Sequence, residues 1–141
     1  MREIRERFFR SDIARGIERL YTAADTGEWY YPLYTEAECE ENPDRKGVNL
    51  VWMPSGKDGA DERPYILLVP GGGFVNVWNL TEGWPVAAQF NDLGYHVFIL
   101  TYQVDCDEQL LEKNMEDFSR ALRFVRDHER FFHVQGGHYI T

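Results

Sequence analysis

Apolar positions along the chain switch between two periods, and the switch defines the elements. Ile13, Ile17, Leu20 and Tyr21 recur at spacings of four, three and one, which predicts a helix over residues 4–24 that ends at Thr26-Gly27. Two runs rich in aromatic and branched residues follow, 29–34 and 48–53, and read as an antiparallel hairpin. Between them, Glu36, Glu38 and Glu40 alternate as if along one side of an extended, solvated segment, with Asn42-Pro43-Asp44 supplying a turn. A polar loop over 54–64 leads to residues 65–69, a continuous apolar run of the kind buried on both faces of a parallel sheet. It runs directly into Pro70-Gly71-Gly72-Gly73-Phe74. A helix is expected over 81–93, with Val86, Ala87, Phe90 and Leu93 on one face and Gly94 as its stop. A second buried strand spans 95–102, and Asn114 is expected to cap a third helix with a stripe of Met115, Phe118, Leu122 and Val125. Gly136-Gly137 then introduces His138-Tyr139-Ile140-Thr141 as the start of another strand.

Strand, glycine loop, helix, strand, helix, strand is the order of an α/β domain with a parallel sheet, entered here through an antiparallel hairpin. A final strand needs pairing and cover, so the chain is expected to be incomplete. Its 141 residues suit one domain, and 43% hydrophobic residues suffice for a packed core. With 15 Lys+Arg against 24 Asp+Glu, the net charge of −9 disfavours nucleic acid and anionic membranes as partners. Cys39 and Cys106 make no disulfide framework or zinc spacing, and the first ten residues lack the apolar core of a signal peptide. A cytoplasmic location is expected.

Three glycines after a buried strand let a ligand approach backbone N–H groups closely. Three readings fit: a phosphate cradle, an oxyanion hole, or a glycine turn with no ligand. The dinucleotide fingerprint is incomplete, because Gly71, Gly73 and Asn76 give G-x-G-x-x-N and no P-loop Lys follows. Nucleophile candidates are few. Ser11, Ser55 and Ser119 are the three serines, none is framed as G-x-S-x-G, and none is assigned as a nucleophile. His96 reads as a hydrogen-bonded strand residue and His128 as a helix-end charge, while His133 and His138 lack convergent partners for a metal. Asp105, Asp107 and Glu108 read as a solvated acidic loop rather than a calcium frame. No metal and no cofactor is expected.

In order and spacing, VPGGGF at 69–74, Thr81-Glu82-Gly83, Pro85-Val86-Ala87, LGYHVFILTYQV at 93–104 and MEDFSRALRFVRDH at 115–128 resemble the α/β-hydrolase esterase/lipase family. The nearest branch is that of acetyl-esterase-like enzymes related to hormone-sensitive lipase. The resemblance covers residues 48–141 and implies a helical segment over 1–27 followed by the N-terminal portion of a hydrolase domain over 28–141. It also implies that Gly72 and Gly73 donate oxyanion-hole N–H groups, that Gly71 shapes the turn, and that Phe74 and Trp78 flank the substrate. Trp84, nearby, is as readily core. Pro70 stands where many relatives carry His. The family's nucleophile, acid and His follow the strand that begins at 139, so this stretch alone is expected to be inactive. The implied activity of the whole protein is hydrolysis of a small-molecule ester, short-chain or acetyl. Two alternatives stay open: a non-catalytic nucleotide- or anion-binding α/β module, and an inactive truncated product. Oligomeric state is left open.

Overall fold

The computed structural model describes residues 2–55, 62–104 and 109–135. Four strands form one mixed sheet: β1 (Tyr30–Pro32), β2 (Asn49–Met53), β3 (Tyr65–Leu68) and β4 (His96–Thr101), in the order β1-β2-β4-β3. β1 and β2 pair antiparallel, as do β2 and β4, whereas β3 lies parallel to β4. The expected hairpin and the expected parallel pair are therefore both present, joined through β4.

Alternation along β4 divides the core. Phe98, Leu100 and Tyr102 point to one layer with Leu33, Val48, Leu50, Ala121, Val125 and Phe132. Val97 and Ile99 point to the other, with Ala23, Val51, Met53 and Ala87. Helices α1 (Arg2–Asp25) and α3 (Trp84–Leu93) cover the second layer, and α4 (Leu110–Asp127) and the short α5 (Glu129–Phe132) the first. α1 meets α3 closely at Gly16, where a Cβ would stand 2.6 Å from the Pro85 nitrogen. Arg15 and Arg19 of α1 both pair with Asp92 of α3.

Several expectations change. The Glu36–Glu41 segment is helix α2, not extended chain. Thr35 and Glu38 form a capping box, with the Thr35 hydroxyl accepting from the Glu38 N–H at 3.3 Å and the Glu38 carboxylate accepting from the Thr35 N–H at 2.8 Å. Asn42 does supply the turn chemistry, its side chain accepting from the Asp44 N–H to start a 3₁₀ turn over Pro43–Gly47. Asn114 does not cap α4. The helix begins a turn earlier, and the Asn114 amide donates to the Leu110 carbonyl from inside it. The buried stripe of α4 is Asp117, Ala121 and Val125, with Met115 exposed. In α3, Leu93 is exposed and Asn91 is buried in its place, its amide donating to the carbonyls of Met53 and Tyr95. Gly94 ends that helix at φ +97°, as expected. In α1, Tyr21 is exposed and Ala23 joins the core. β3 is half-buried rather than enclosed, because it forms one edge of the sheet. Beside it, Val134 forms a parallel bridge to Arg63, on the side away from β4. The strand expected from His138 and the loop Asp105, Asp107 and Glu108 lie outside the described residues, as do residues 56–61 of the polar loop and Cys106.

One buried carboxylate ties α4 to the sheet. Asp117 is fully buried and accepts from the Tyr34 hydroxyl at 2.6 Å, the Gln103 N–H at 2.8 Å and the Gln103 side-chain amide at 3.0 Å. The Tyr34 ring lies under the Arg120 guanidinium, and Arg120 in turn bonds Glu38 and the Leu33 carbonyl. Burial, then the bond to Asp117, pushes the Tyr34 hydroxyl well above its ordinary range, so it remains a donor. Asp117→Ala orphans all three donors and is expected to cost about 3 kcal/mol of unfolding free energy in urea titration, with Tyr34→Phe costing about 1 kcal/mol.

Glu38 supplies a pH dependence. The Thr35 N–H, then Arg120, then the Thr35 hydroxyl hold its carboxyl at about 2 instead of 4.5. Because the folded value is the lower one, its contribution is complete above pH 4.5 and is lost as the pH falls towards 2. Glu38→Gln should therefore lower stability at pH 7 and flatten the acid limb, so that its urea midpoint approaches that of the native chain as the pH falls from 4.5 towards 2.

Candidate functional site

The glycine loop leaves the C-terminal end of β3 and is tied at several points. At its foot, the buried Pro70 carbonyl accepts from the Tyr102 hydroxyl at 2.9 Å. Burial, then the charge of Glu82, raises the Tyr102 pKa and keeps that hydroxyl a donor. Above the foot, three hydrogen bonds close a ring. The Trp78 N–H donates to the Gly71 carbonyl at 2.9 Å, and the Glu82 N–H donates to the Trp78 carbonyl at 2.8 Å. The Glu82 carboxylate accepts from the Gly71 N–H at 3.0 Å. A π-helical turn over Asn79–Gly83 makes this closure possible, and Asn79 anchors it to β4 through the Thr101 hydroxyl at 3.1 Å.

Within the ring the chain turns sharply. Gly72 has φ +147° and Gly73 φ +62°, and the next residue, Phe74, is held at φ +61° despite its Cβ. The Gly72 carbonyl accepts from Val75 and Asn76. Among the described residues, no acceptor partners the N–H of Gly72 or Gly73. Two adjacent glycine amides thus stand open at the turn, as does that of Phe74, on a loop held at its foot and by its ring.

Beside the loop is an apolar cavity of about 200 Å³, lined by Val69, Phe74, Leu100, Tyr102, Asn114 and Phe118. It lies between the ends of β3 and β4 and the first turns of α4. Phe74 reaches it and meets the Tyr102 ring edge-on at 6.3 Å. Trp78 does not line it. Its backbone closes the loop, and its half-exposed ring lies on the surface with Val75 and Leu80. Trp84 packs against the α1/α3 side of the core. Gly71, Gly72, Gly73 and Phe74 therefore come together as one site, with Trp78 at its margin.

The serines lie elsewhere in the fold. Ser11 is in α1 and Ser119 in α4, and Ser55 is buried with its N–H donating to His96 Nδ1 at 3.3 Å. Burial, then the charges of Arg63 and His133, lowers the His96 pKa and keeps it a neutral acceptor. His128 ends α4 with Nδ1 2.8 Å from the Phe124 carbonyl, and His133 closes α5 at φ +51°. Among the described residues, no group of three or more His, Cys, Asp or Glu side chains gathers as for a metal ion. No described helix is long and apolar enough to cross a membrane. Sequence reasoning missed Glu82 as a site residue. Its partner is eleven residues away, and only the π-helical turn brings the two together.

No family model matches the sequence. Endo-1,4-beta-xylanase B of Butyrivibrio fibrisolvens is 32% identical over 77 residues, which span 53% of this chain and 12% of that protein. An acetyl ester-xyloside bifunctional hydrolase from Caldicellulosiruptor lactoaceticus superposes with a TM-score of 0.60 at 26% identity, covering 75% of this chain and 38% of that one. An α/β-hydrolase enzyme from a Medee basin deep-sea metagenome library superposes with a TM-score of 0.61 at 22% identity, covering 75% and 41%. The chain has the α/β-hydrolase fold of the esterases, of which it resembles the N-terminal part. It spans about two fifths of the length of those two structures.

The three glycines differ in what they tolerate. A Cβ on Gly72 would stand 1.8 Å from the Asn76 carbonyl oxygen, whereas one on Gly73 meets nothing within 4 Å. Gly73→Ala should keep the loop and cost about 1 kcal/mol for its left-handed backbone. Gly72→Ala should break the turn, seen as loss of the Val75 and Asn76 amide protection in hydrogen exchange.

Proposed function

We propose that this chain is the oxyanion-loop portion of a serine-dependent carboxylic-ester hydrolase, acting in the whole protein on acetyl or other short-chain esters. The observation that carries this reading is the pair of adjacent unpartnered amides at Gly72 and Gly73 on a loop held by the Tyr102 bond to Pro70 and by the Gly71, Trp78 and Glu82 ring. In acyl transfer a serine attacks the ester carbonyl, and its oxygen becomes an anion in the tetrahedral intermediate. The N–H groups of Gly72 and Gly73 donate to that oxygen, and their orientation is set before the charge develops. The intermediate collapses to an acyl-enzyme with loss of the alcohol, and water then releases the acid through a second tetrahedral species. The nucleophile, its histidine base and the acid are assigned to residues beyond Thr141.

Substrate size follows from the apolar cavity at Phe74. A dry cavity of roughly 150 Å³ holds a benzene-sized group, so an open pocket of about 200 Å³ is large enough for a short acyl chain. The names of the matched xylanase and of the acetyl ester-xyloside hydrolase favour an acetyl ester carried on a sugar. Glu82 weighs against the anion-binding alternative, because its carboxylate already occupies the Gly71 N–H that a phosphate would need.

The test uses the native protein that contains these residues, with its intact mass and the sequence past Thr141 determined first. A G-x-S-x-G segment just beyond Thr141 and turnover of p-nitrophenyl acetate are expected. Gly72→Ala, which displaces both donors by breaking the turn, should then lower kcat at least about a hundredfold and far more than it raises KM. A native chain that ends at Thr141, or equal losses in kcat and KM, overturns the proposal.

A further inference from the structure

The most distinctive contact at the loop is a charged one that the hydrolysis reading does not require. Glu82 is exposed, and its Oε2 accepts from the Gly71 N–H. A Cβ at position 71 would lie 2.7 Å from that same oxygen, so a side chain there would push the carboxylate aside. The carboxylate is the third side of the ring whose other sides are the backbone bonds Trp78 to Gly71 and Glu82 to Trp78. A carboxylate acceptor makes this bond charge-assisted, stronger than a neutral amide–carbonyl bond. The other titratable group facing Glu82 is Tyr102, which holds the Pro70 carbonyl one residue upstream.

We infer that Glu82 is the positioning residue of the oxyanion loop: by taking the Gly71 N–H it fixes the Pro70–Gly71 peptide opposite the Tyr102 bond to its carbonyl, and so holds the entry to the turn that carries the Gly72 and Gly73 N–H groups. The inference rests on the oxyanion reading for its purpose but not for its geometry. Without the carboxylate, the Gly71 N–H has no acceptor, and the glycine turn is held by the Tyr102, Trp78, Val75 and Asn76 bonds alone. The loop then samples orientations in which the two donors diverge, and their preorganisation is lost. A glutamine keeps an acceptor oxygen at the same reach and should restore the geometry without the charge.

Amide resonances of Gly71, Val75, Asn76 and Trp78 in the ¹⁵N-labelled native protein that contains these residues test this at pH 7. The Gly71 proton resonance is expected to move in Glu82→Ala, where the N–H loses its acceptor, and to stay near its native position in Glu82→Gln. In Glu82→Ala, hydrogen exchange at Val75, Asn76 and Trp78, whose amides bond Gly72 and Gly71, should accelerate at least tenfold while the thermal midpoint barely moves. In Glu82→Gln it should return to near the native rate. A Gly71 resonance unmoved in Glu82→Ala, or unchanged exchange in that variant, overturns the inference. Global loss of signal dispersion in Glu82→Ala would assign Glu82 to folding rather than positioning, and would also overturn it. Failure of the oxyanion reading is read separately, from kcat of Gly72→Ala in the native enzyme.

Discussion

Strand β4 is hydrogen-bonded along both edges, antiparallel to β2 and parallel to β3, and the remaining architecture is arranged around that double pairing. It divides the apolar side chains between two layers, since Phe98, Leu100 and Tyr102 face α4 and α5 while Val97 and Ile99 face α1 and α3. It also fixes where the glycine loop emerges. With β3 parallel to β4, the C-terminal ends of both strands lie together, and Tyr102 and Thr101 are in place to hold Pro70 and Asn79. The site is therefore built at the end of the sheet where open α/β folds place their ligands.

What the sequence disclosed follows what each signal physically depends on. Continuous apolar runs can be stable only inside a sheet, so β3 and β4 were legible, and a triple glycine after one of them marked the loop. The Glu36, Glu38 and Glu40 alternation misled, because any charged surface tolerates a period of two. The Thr35-x-x-Glu38 capping box decides the matter and was present in the same residues. Asn114 was misplaced for a related reason. A helix that starts at Leu110 with no side-chain cap leaves no start signal, and an interior Asn bonded one turn back resembles one. The half-burial of β3 depends on what lies along its free edge, which local pattern does not encode.

Glu82 was illegible for a deeper reason. Its role depends on a π-helical turn that shifts the register of residues 79–83 just before α3, and propensity scales carry no signal for such a turn. π-bulges of this kind occur frequently at functional sites, and here the shift delivers a side chain to a backbone amide eleven residues earlier. The positive φ at Phe74 belongs with it. A side chain accepts that backbone only where its surroundings fix it, and the edge contact with Tyr102 and the cavity wall supply the fixing.

A carboxylate beside a loop meant to receive negative charge looks self-defeating, and the magnitudes show why it is tolerable. Two unit charges about 4 Å apart oppose each other by about 1 kcal/mol in water, but by about 4 kcal/mol at the effective dielectric of a partly buried site. A preorganised oxyanion donor contributes about 3 to 4 kcal/mol of barrier. Glu82 can thus help only while it is solvated, and it is exposed in this structure. Its hydrogen bond to Gly71 is short-ranged and survives salt, whereas its repulsion of a developing oxyanion is screened by water and ions. Burying that carboxylate under a neighbouring segment would reverse the balance. Solvent access to Glu82 is accordingly a constraint on whatever else packs near the loop.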